Sequence, residues 1–440
     1  MEWFLVLLTF FGALLALMLT GINVFVAFLI INLTATGLLI GERGFGLFIN
    51  SVADSTSNGS YATIPLFILM GEILFRSGSV DVLFDSVDRL VGRVRGRLYA
   101  VVIVIATIFG ALSGAAVAVS AMLGRSAMPN MAARGYSPKM SATVILAGAS
   151  LAPIIPPSLL AIIIGSLADV SISGLLIAGI VPGIIVSLMT GTYVILSVMR
   201  DPTLAPPDTP PDDTTSGGAA ARGSALGAVI RMVPFMFIIF MVMGMIMLGI
   251  ATPGESAATG VIGATLVAML YRRASLGMLL QALTSATRLS VMIMVIVASS
   301  TLFSQLVAFT GASQALVGWA TDLGLPPMTM FVVLMALPLI LCMFIDQIAF
   351  LLMAVPLYDP LVHALGYDPI WFWTIFLVNL TVGGVTPPFG YTLFALSAAA
   401  PNLSTAQVFR ASYPVVVIFL AAMTLFALVP PLVTWLPGML

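Results

Sequence analysis

Residues 111–158 read ALSGAAVAVSAMLGRSAMPNMAARGYSPKMSATVILAGASLAPIIPPS, and this stretch returns, thinned out, 231 positions later. Pro129 pairs with Pro360, Gly135 with Gly366, Tyr136 with Tyr367, Pro138 with Pro369, and Pro156-Pro157 with Pro387-Pro388, without a gap. Pro and Gly alone could punctuate loops anywhere in a chain with 27 prolines. A P-x₅-G-Y-x-P followed by Pro-Pro at one offset is different, because residue types and distances agree together. Internal repeats decide architecture before local readings do. In a membrane chain, Gly/Pro-broken segments at matching places in two halves point to a binding site.

Composition makes this a membrane chain. Hydrophobic residues make up 60% and charged residues 8%, against roughly 25% charged in a soluble domain. Apolar runs of spanning length recur from end to end. The first, Trp3 to Leu19, lacks a basic n-region and a small-residue cleavage site, and is expected to be a retained span. Cys342 is the only cysteine and His363 the only histidine. Disulfide frameworks, thiolate clusters and histidine metal sites within one chain are thereby excluded. No basic stripe suggests nucleic acid.

The expected organisation is two halves, 1–200 and 231–440, joined by a Pro/Asp-rich linker over 201–230. Its core, Asp201–Arg222, holds five prolines and no apolar periodicity. Spans are expected at Trp3–Leu19, Val24–Ile40 and Tyr61–Phe75, with a polar stretch over Asn50–Gly59. Asp81–Leu98 places Val80, Leu83, Phe84, Val87 and Val91 on one helical face and reads as an interfacial amphipathic helix. Residues 99–129 are apolar on either side of Ser113-Gly114, with arginines before them and Arg134 and Lys139 beyond. A segment that enters and leaves on the basic side is a re-entrant hairpin. Residues 139–168 carry Pro153, Pro156 and Pro157 and must be broken in mid-span, since proline removes a donor and clashes with the preceding turn. Residues 327–358, interrupted near Asp346-Gln347, and 369–400, interrupted at Pro387-Pro388, are their counterparts. Further spans are expected at Leu175–Met199, Met232–Ile250, Ser256–Tyr271, Leu289–Phe309 and Pro414–Leu436.

Counting crossings puts Arg76, Arg200, Arg222, Arg231, Arg272, Arg273, Arg288 and Arg410 on the cytoplasmic side with the first hairpin. The second hairpin, whose flanks lack Lys and Arg, falls on the other side. The expected fold class is thus an all-α polytopic membrane protein of two inverted-topology repeats, each with a re-entrant hairpin and a Pro-broken helix, with both termini periplasmic. Broken helices free carbonyls for hard cations and present half-helix N-termini to anions. The available groups are Ser113, Gly114, Ala149 and Ser150 in one crevice, and Asp346, Gln347, Thr381, Gly383 and Thr386 in the other. Asp346 is the sharpest, because a carboxylate inside a membrane costs roughly 2.5–3.5 kcal/mol on insertion scales; a shallow, wetted position is its bland alternative. Glu72 reads as a pair with Arg76, Glu255 as a helix-start residue, and Cys342 and the methionines as packing.

These motifs resemble the large membrane subunit of the TRAP (tripartite ATP-independent periplasmic) transporters. The resemblance rests on Ser113-Gly114, Met128-Pro129, Arg134-Gly135-Tyr136 and Pro153-Ile-Ile-Pro-Pro-Ser158. It rests also on Ile64-Pro-Leu-Phe67 with Gly71-Glu72, Ala178-Gly-Ile-Val-Pro-Gly183, Thr252-Pro-Gly-Glu255 and Asn379-Leu380 before Thr386-Pro-Pro388. It implies an elevator-type, Na⁺-driven symporter of the bacterial inner membrane that imports organic acids such as C4-dicarboxylates or sugar acids. The implied partners are a separate small four-helix membrane subunit and a periplasmic substrate-binding protein; Na⁺ is the coupling ion, and there is no other cofactor. The implied Na⁺ ligands fall on Ser113, Gly114, Ala149 and Ser150, and on Gly383, Gly384 and Thr386 with Asp346 nearby. Ala115 and Ala116 stand where family members often carry hydroxyls, which leaves coordination there to carbonyls. A standalone divalent-anion/sodium symporter is the alternative. An intramembrane enzyme has little to work with here.

Overall fold

The computed structural model describes residues 3–57, 59–90, 95–206 and 225–439, and it is all helical. The first half runs α1 (Trp3–Leu19), α2 (Val24–Leu39), α3 (Phe45–Ser57), α4 (Thr63–Arg76) and α5 (Ser79–Leu90). It continues with α6 (Arg97–Ser113), α7 (Ala116–Ala133), α8 (Pro138–Ala149), α9 (Leu159–Leu167), α10 (Ile172–Ala178) and α11 (Ile180–Arg200). The second half runs α12 (Ala225–Met247), α13 (Pro253–Leu270), α14 (Leu276–Phe309), α15 (Ala312–Asp322), α16 (Pro327–Leu341) and α17 (Gln347–Ala364). It ends with α18 (Pro369–Val385), α19 (Tyr391–Ala399), α20 (Thr405–Leu428) and α21 (Pro431–Thr434).

The repeated residues do matching local work. Gly135 and Gly366 both take positive φ, at 76° and 70°. Each ends a helix in the same way: the amides of Tyr136 and Tyr367 reach back to Met131 and Val362, the left-handed cap that glycine supplies without strain. Each tyrosine then closes the base of its own helix pair. The Tyr136 hydroxyl accepts from the Leu98 amide at 3.4 Å, and the Tyr367 hydroxyl donates to the Pro327 carbonyl at 2.6 Å. Both Pro-Pro steps are cis. The pairs also exchange partners: α7 packs on α19 and α17 on α9, while α20 lies against α8, α11 and α18.

Among the described residues, five stretches are long and apolar enough to cross a membrane: Ile172–Arg200, Leu226–Met247, Leu276–Phe309, Gln347–Ala364 and Thr405–Leu428. The first helix of each pair is shorter. α16 has 15 residues and α6 has 17, about 22–26 Å at 1.5 Å per residue, against roughly 30 Å of hydrocarbon.

Several boundaries differ from the expected ones. The polar stretch over Asn50–Gly59 is largely helical, because α3 packs on α14 and the Ser51 hydroxyl donates to Gln305 Oε1 at 2.9 Å. α14 starts thirteen residues before Leu289, capped by Ser275, whose hydroxyl accepts from the Met278 amide. α20 starts at Thr405, not Pro414, in a capping box between Ser404 and Gln407. Leu175–Met199 is two helices divided at Gly179. α5 does not lie free: it packs on α12 and α6, with Leu83, Phe84 and Val87 buried. The linker reading over 201–230 falls mostly on 207–224, outside the described residues. At its edges, Pro202–Leu204 forms a turn that Asp201 caps, and residues from Ala225 onward are already helix.

Candidate functional site

The site is built from two chain breaks, each met by the turn between two helices. In the first, α6 ends at Ser113, Gly114 turns with φ 61°, and α7 begins at Ala116. Its tip lies against residues 157–159: a Cβ on Gly114 would stand 3.1 Å from the Pro157 carbonyl oxygen and 3.0 Å from the Leu159 amide. α8 stops at Ala149, and residues 150–158 cross the gap before α9. Ser158 restarts the chain. Its hydroxyl accepts from the Ala161 amide at 3.2 Å and donates to the Pro153 carbonyl. Ser150 is 1% exposed and its hydroxyl has no partner, an arrangement that calls for a ligand or ordered water. Ser113 is half-buried, and its hydroxyl accepts from the Ala115 amide at 3.5 Å.

Small residues hold this break in place. Gly110 sits so close to Ala152 that a Cβ would lie 2.9 Å from its Cα, and Gly71 of α4 would come within 3.1 Å of the Leu112 carbonyl at the tip. A Cβ on Gly179 would overlap the Ile154 carbonyl, and one on Gly183 the Ile155 side chain. A cavity of about 140 Å³ opens beside the tip, with Gly71, Glu72 and Ser113 in its wall. Glu72 pairs with Arg76 at 2.7 Å, and Arg76 reaches Ser285 at 2.7 Å.

The second break is tighter. α18 ends at Val385, and Thr386 to Gly390 carry the chain to α19. A Cβ on Gly383 would overlap the Cys342 Cβ at the facing turn and lie 3.0 Å from its carbonyl carbon. A Cβ on Gly384 would stand 2.6 Å from the Tyr391 hydroxyl and 2.7 Å from Gln347 Nε2. The side chains are engaged. Gln347 donates to the Leu380 carbonyl at 2.5 Å, Thr386 to Val382 at 2.5 Å, Thr381 to Leu377 at 2.9 Å and Thr392 to Gly384 at 2.8 Å. Asp346 caps α17: its Oδ1 accepts from the amides of Ile348 and Ala349 at 2.9 and 3.2 Å. Asp346 reaches the molecular surface at the start of α17, and the cap fixes where its carboxylate stands. Cys342 is buried at the facing turn as part of the hydrophobic core, the packing role expected of it.

One hydrogen bond joins the halves here: Ser120 of α7 donates to the Thr392 carbonyl at 3.0 Å, and Thr392 in turn holds Gly384. Neither Ser120 nor Thr392 was expected from the sequence, nor were Gly71, Gly179 and Gly183 as packing points. Only the motifs around the glycines carried a signal. Of the remaining candidates, Glu255 forms a capping box with Thr252 and His363 is exposed, 3.5 Å from Asp359. Among the described residues, no cluster of three or more His, Cys, Asp or Glu could hold a metal.

The family model for the tripartite ATP-independent periplasmic transporter, DctM component, matches residues 11–432. The chain belongs to this family. It is 28% identical over 390 residues to the C4-dicarboxylate TRAP transporter large permease DctM of Pseudomonas aeruginosa, covering 88% of each chain. It is 28% identical to the ectoine/5-hydroxyectoine large permease UehC of Ruegeria pomeroyi, over 86% of each. It is 29% identical to the 2,3-diketo-L-gulonate large permease YiaN of Escherichia coli, over 87% of this chain and 88% of that one. The crystal structure of the Alcanivorax borkumensis YdaH transporter shares the fold, with a TM-score of 0.63, 14% identity and 91% of each chain covered. The chain is therefore the large membrane subunit of a TRAP transporter: a multi-pass secondary-transport permease, not an enzyme, of a family that works with a substrate-binding protein and a small membrane subunit. The standalone symporter finds no support in this match.

Proposed function

We propose that this chain is the large subunit of a Na⁺ symporter that imports a small carboxylate across the bacterial inner membrane, taking it from a periplasmic binding protein, with a separate four-helix membrane subunit beside it. The observation that carries the reading is the buried, unpartnered Ser150 hydroxyl at the first break. The candidate donors at the two breaks are oxygens. The first site is Ser113, Gly114, Ala149 and Ser150; the second is Gly383, Gly384 and Thr386, with Asp346 at its mouth. The Gly383 and Gly384 carbonyls already accept one hydrogen bond each, from the Thr386 amide and the Thr392 hydroxyl, and retain a second lone pair. Hydroxyls and carbonyls suit a hard monovalent cation; the absence of a carboxylate-rich cage disfavours a divalent one. Two of the three relatives are named for carboxylate anions, a C4-dicarboxylate and 2,3-diketo-L-gulonate, and the third for ectoine, a zwitterion that also carries a carboxylate; a carboxylate suits the half-helix N-termini at the breaks.

The same reading makes the two halves inverted repeats, 1–200 and 231–440, with hairpins near 99–129 and 327–358, broken helices near 139–168 and 369–400, and both termini periplasmic. The exchange of partners between the halves supports it, as does the basic side shared by Arg97, Arg134 and Lys139. Sliding the hairpins and broken helices together past the remaining helices gives elevator-type transport.

The test is uptake of labelled carboxylates by proteoliposomes holding this chain and its small subunit. Uptake is expected only with an inward Na⁺ gradient and the binding protein added. Equal uptake on a K⁺ gradient removes Na⁺ coupling; equal uptake without the binding protein restores the standalone symporter. Cysteine at Lys139, in a Cys342→Ala background, is expected to label from the cytoplasmic side alone. Labelling from the periplasm overturns the topology.

A further inference from the structure

Away from the breaks, three chain segments are tied together at one end of the bundle. The Tyr99 hydroxyl and the Ser137 amide both donate to the Leu204 carbonyl, at 2.6 and 3.0 Å. Arg95 donates from Nε to the Ala205 carbonyl at 3.1 Å and from Nη2 to the Pro202 carbonyl at 2.5 Å. Cations gather on these segments: Arg95, Arg97, Arg134, Lys139 and Arg200. Two described carboxylates stand against them. Asp88 is taken by Arg97 through two bonds of 3.0 and 2.6 Å, with Arg134 at 3.9 Å. Asp201 caps Thr203, whose hydroxyl and amide hold its pKa below the ordinary value, so it stays charged and locally engaged. Among the described residues, cations are left in excess, and Arg95 is bound only to neutral carbonyls.

From this corner a groove of about 770 Å³ runs between α6 and α11, with Arg95, Arg97 and Pro202 at its end. Its walls are apolar. Leu188, Ile195 and Met199 lie along one face of α11, about two turns and then one turn apart, and are exposed, and Val104 lines the groove from α6. Gly191 lies midway, where an added Cβ meets nothing within 4 Å.

We propose that this groove binds one anionic glycerophospholipid of the cytoplasmic leaflet, its phosphate at Arg95 and an acyl chain along α11. An apolar trough closed at one end by a guanidinium has the polarity of such a lipid laid lengthwise. Basic pockets between membrane helices on the cytoplasmic side are recognised places for anionic headgroups. The two carbonyl bonds occupy two of the five donors of Arg95 and fix the plane of the fork. The remaining donors suit a phosphate, which a guanidinium binds in bidentate fashion. A soluble anion would use the charged end and leave the trough empty; charge complementarity at one end with apolar walls along the rest selects the lipid. Such a lipid touches both the outer arm of the first helix pair and the helix that follows the first break.

The experiment titrates the full-length chain in mild detergent with phosphatidylglycerol or phosphatidylcholine of identical acyl chains, and counts bound lipid by native mass spectrometry. Phosphatidylglycerol is expected to saturate at one high-affinity site, about tenfold tighter than phosphatidylcholine. Arg95→Gln is expected to erase that preference. Gly191→Phe, which fills the trough without touching the charged corner, is expected to lower phosphatidylglycerol binding at least fivefold even should Arg95→Gln fail to fold. Equal affinity for the two lipids overturns the proposal. So does unchanged binding by Gly191→Phe, or full displacement of the lipid by millimolar glycerol 3-phosphate, which would make the corner a site for soluble anions.

Discussion

The two breaks share a Pro-Pro step and a place after a Tyr-clasped helix pair, yet they are built on opposite plans. The first is wide: nine residues, 150–158, separate its helices, and a buried hydroxyl at Ser150 is left without a partner. The second is narrow and saturated. Glycines press against the facing turn, and Gln347, Thr381, Thr386 and Thr392 each already donate to a carbonyl. An unsatisfied group at the first break and a close-packed, satisfied backbone at the second imply different sensitivities. Chemistry at the first should be tunable by removing one oxygen. At the second, bulk matters more than polarity.

The largest effect is therefore expected at the second break. Gly383→Ala places a methyl over Cys342, with the Cys342 backbone as well as its side chain in the way. Overpacking of this kind costs about 1–3 kcal/mol and more where backbone is the obstacle. Uptake is expected to fall below a tenth of wild type, with a lowered thermal midpoint, and Cys342→Gly in the same chain to restore part of both. Full activity in Gly383→Ala would dissolve the contrast. The counterpart, Gly114→Ala, meets backbone at 3.0–3.1 Å and a φ of 61°, a left-handed penalty of about 1–2 kcal/mol. A smaller loss of uptake is expected, measured in the same assay.

Asp346 sharpens the comparison next. As an exposed N-cap it contributes to α17 through two amide bonds. Asn caps nearly as well as Asp, whereas Ala costs about 1 kcal/mol. Asp346→Asn is expected to leave thermal stability unchanged and to lower Na⁺-driven uptake several-fold; Asp346→Ala adds a loss of stability. Normal uptake by Asp346→Asn would confine the residue to capping and leave the second break with no charge in its mechanism.

Much of this contrast was legible beforehand, because proline and glycine act locally. Pro156-Pro157, Pro387-Pro388, Gly135 and Gly366 carry their backbone consequences with them, so the breaks and the closing turns stood in the sequence. What depended on tertiary packing did not. Residues 50–57 are Ser-, Asp- and Thr-rich and favour turns in isolation, but lying on α14 makes them helical. Ser120 and Thr392 are unremarkable in sequence and meet only because α7 reaches the opposite half. Asp346 stood out in the sequence as a carboxylate among apolar neighbours, but its capping of the Ile348 and Ala349 amides follows from the turn that starts α17.

The smallest effect, and the most discriminating, is expected at Ser150. Its hydroxyl is buried without a hydrogen bond, so Ser150→Ala removes a desolvated polar group and breaks nothing; an unsatisfied buried group costs about 1–3 kcal/mol. The folded chain is expected to be as stable as wild type or slightly more so, by thermal unfolding in Na⁺-free buffer. The Na⁺ concentration for half-maximal uptake is expected to rise about threefold to tenfold, with little change at saturating Na⁺. Ser158→Ala, eight residues on, is the control: its hydroxyl is engaged at both ends, so losing it should lower stability by about 1 kcal/mol without moving the Na⁺ dependence. If Ser150→Ala instead unfolds like Ser158→Ala, the hydroxyl has a structural partner such as an ordered water. The first break is then as saturated as the second, and the difference between them is one of width alone.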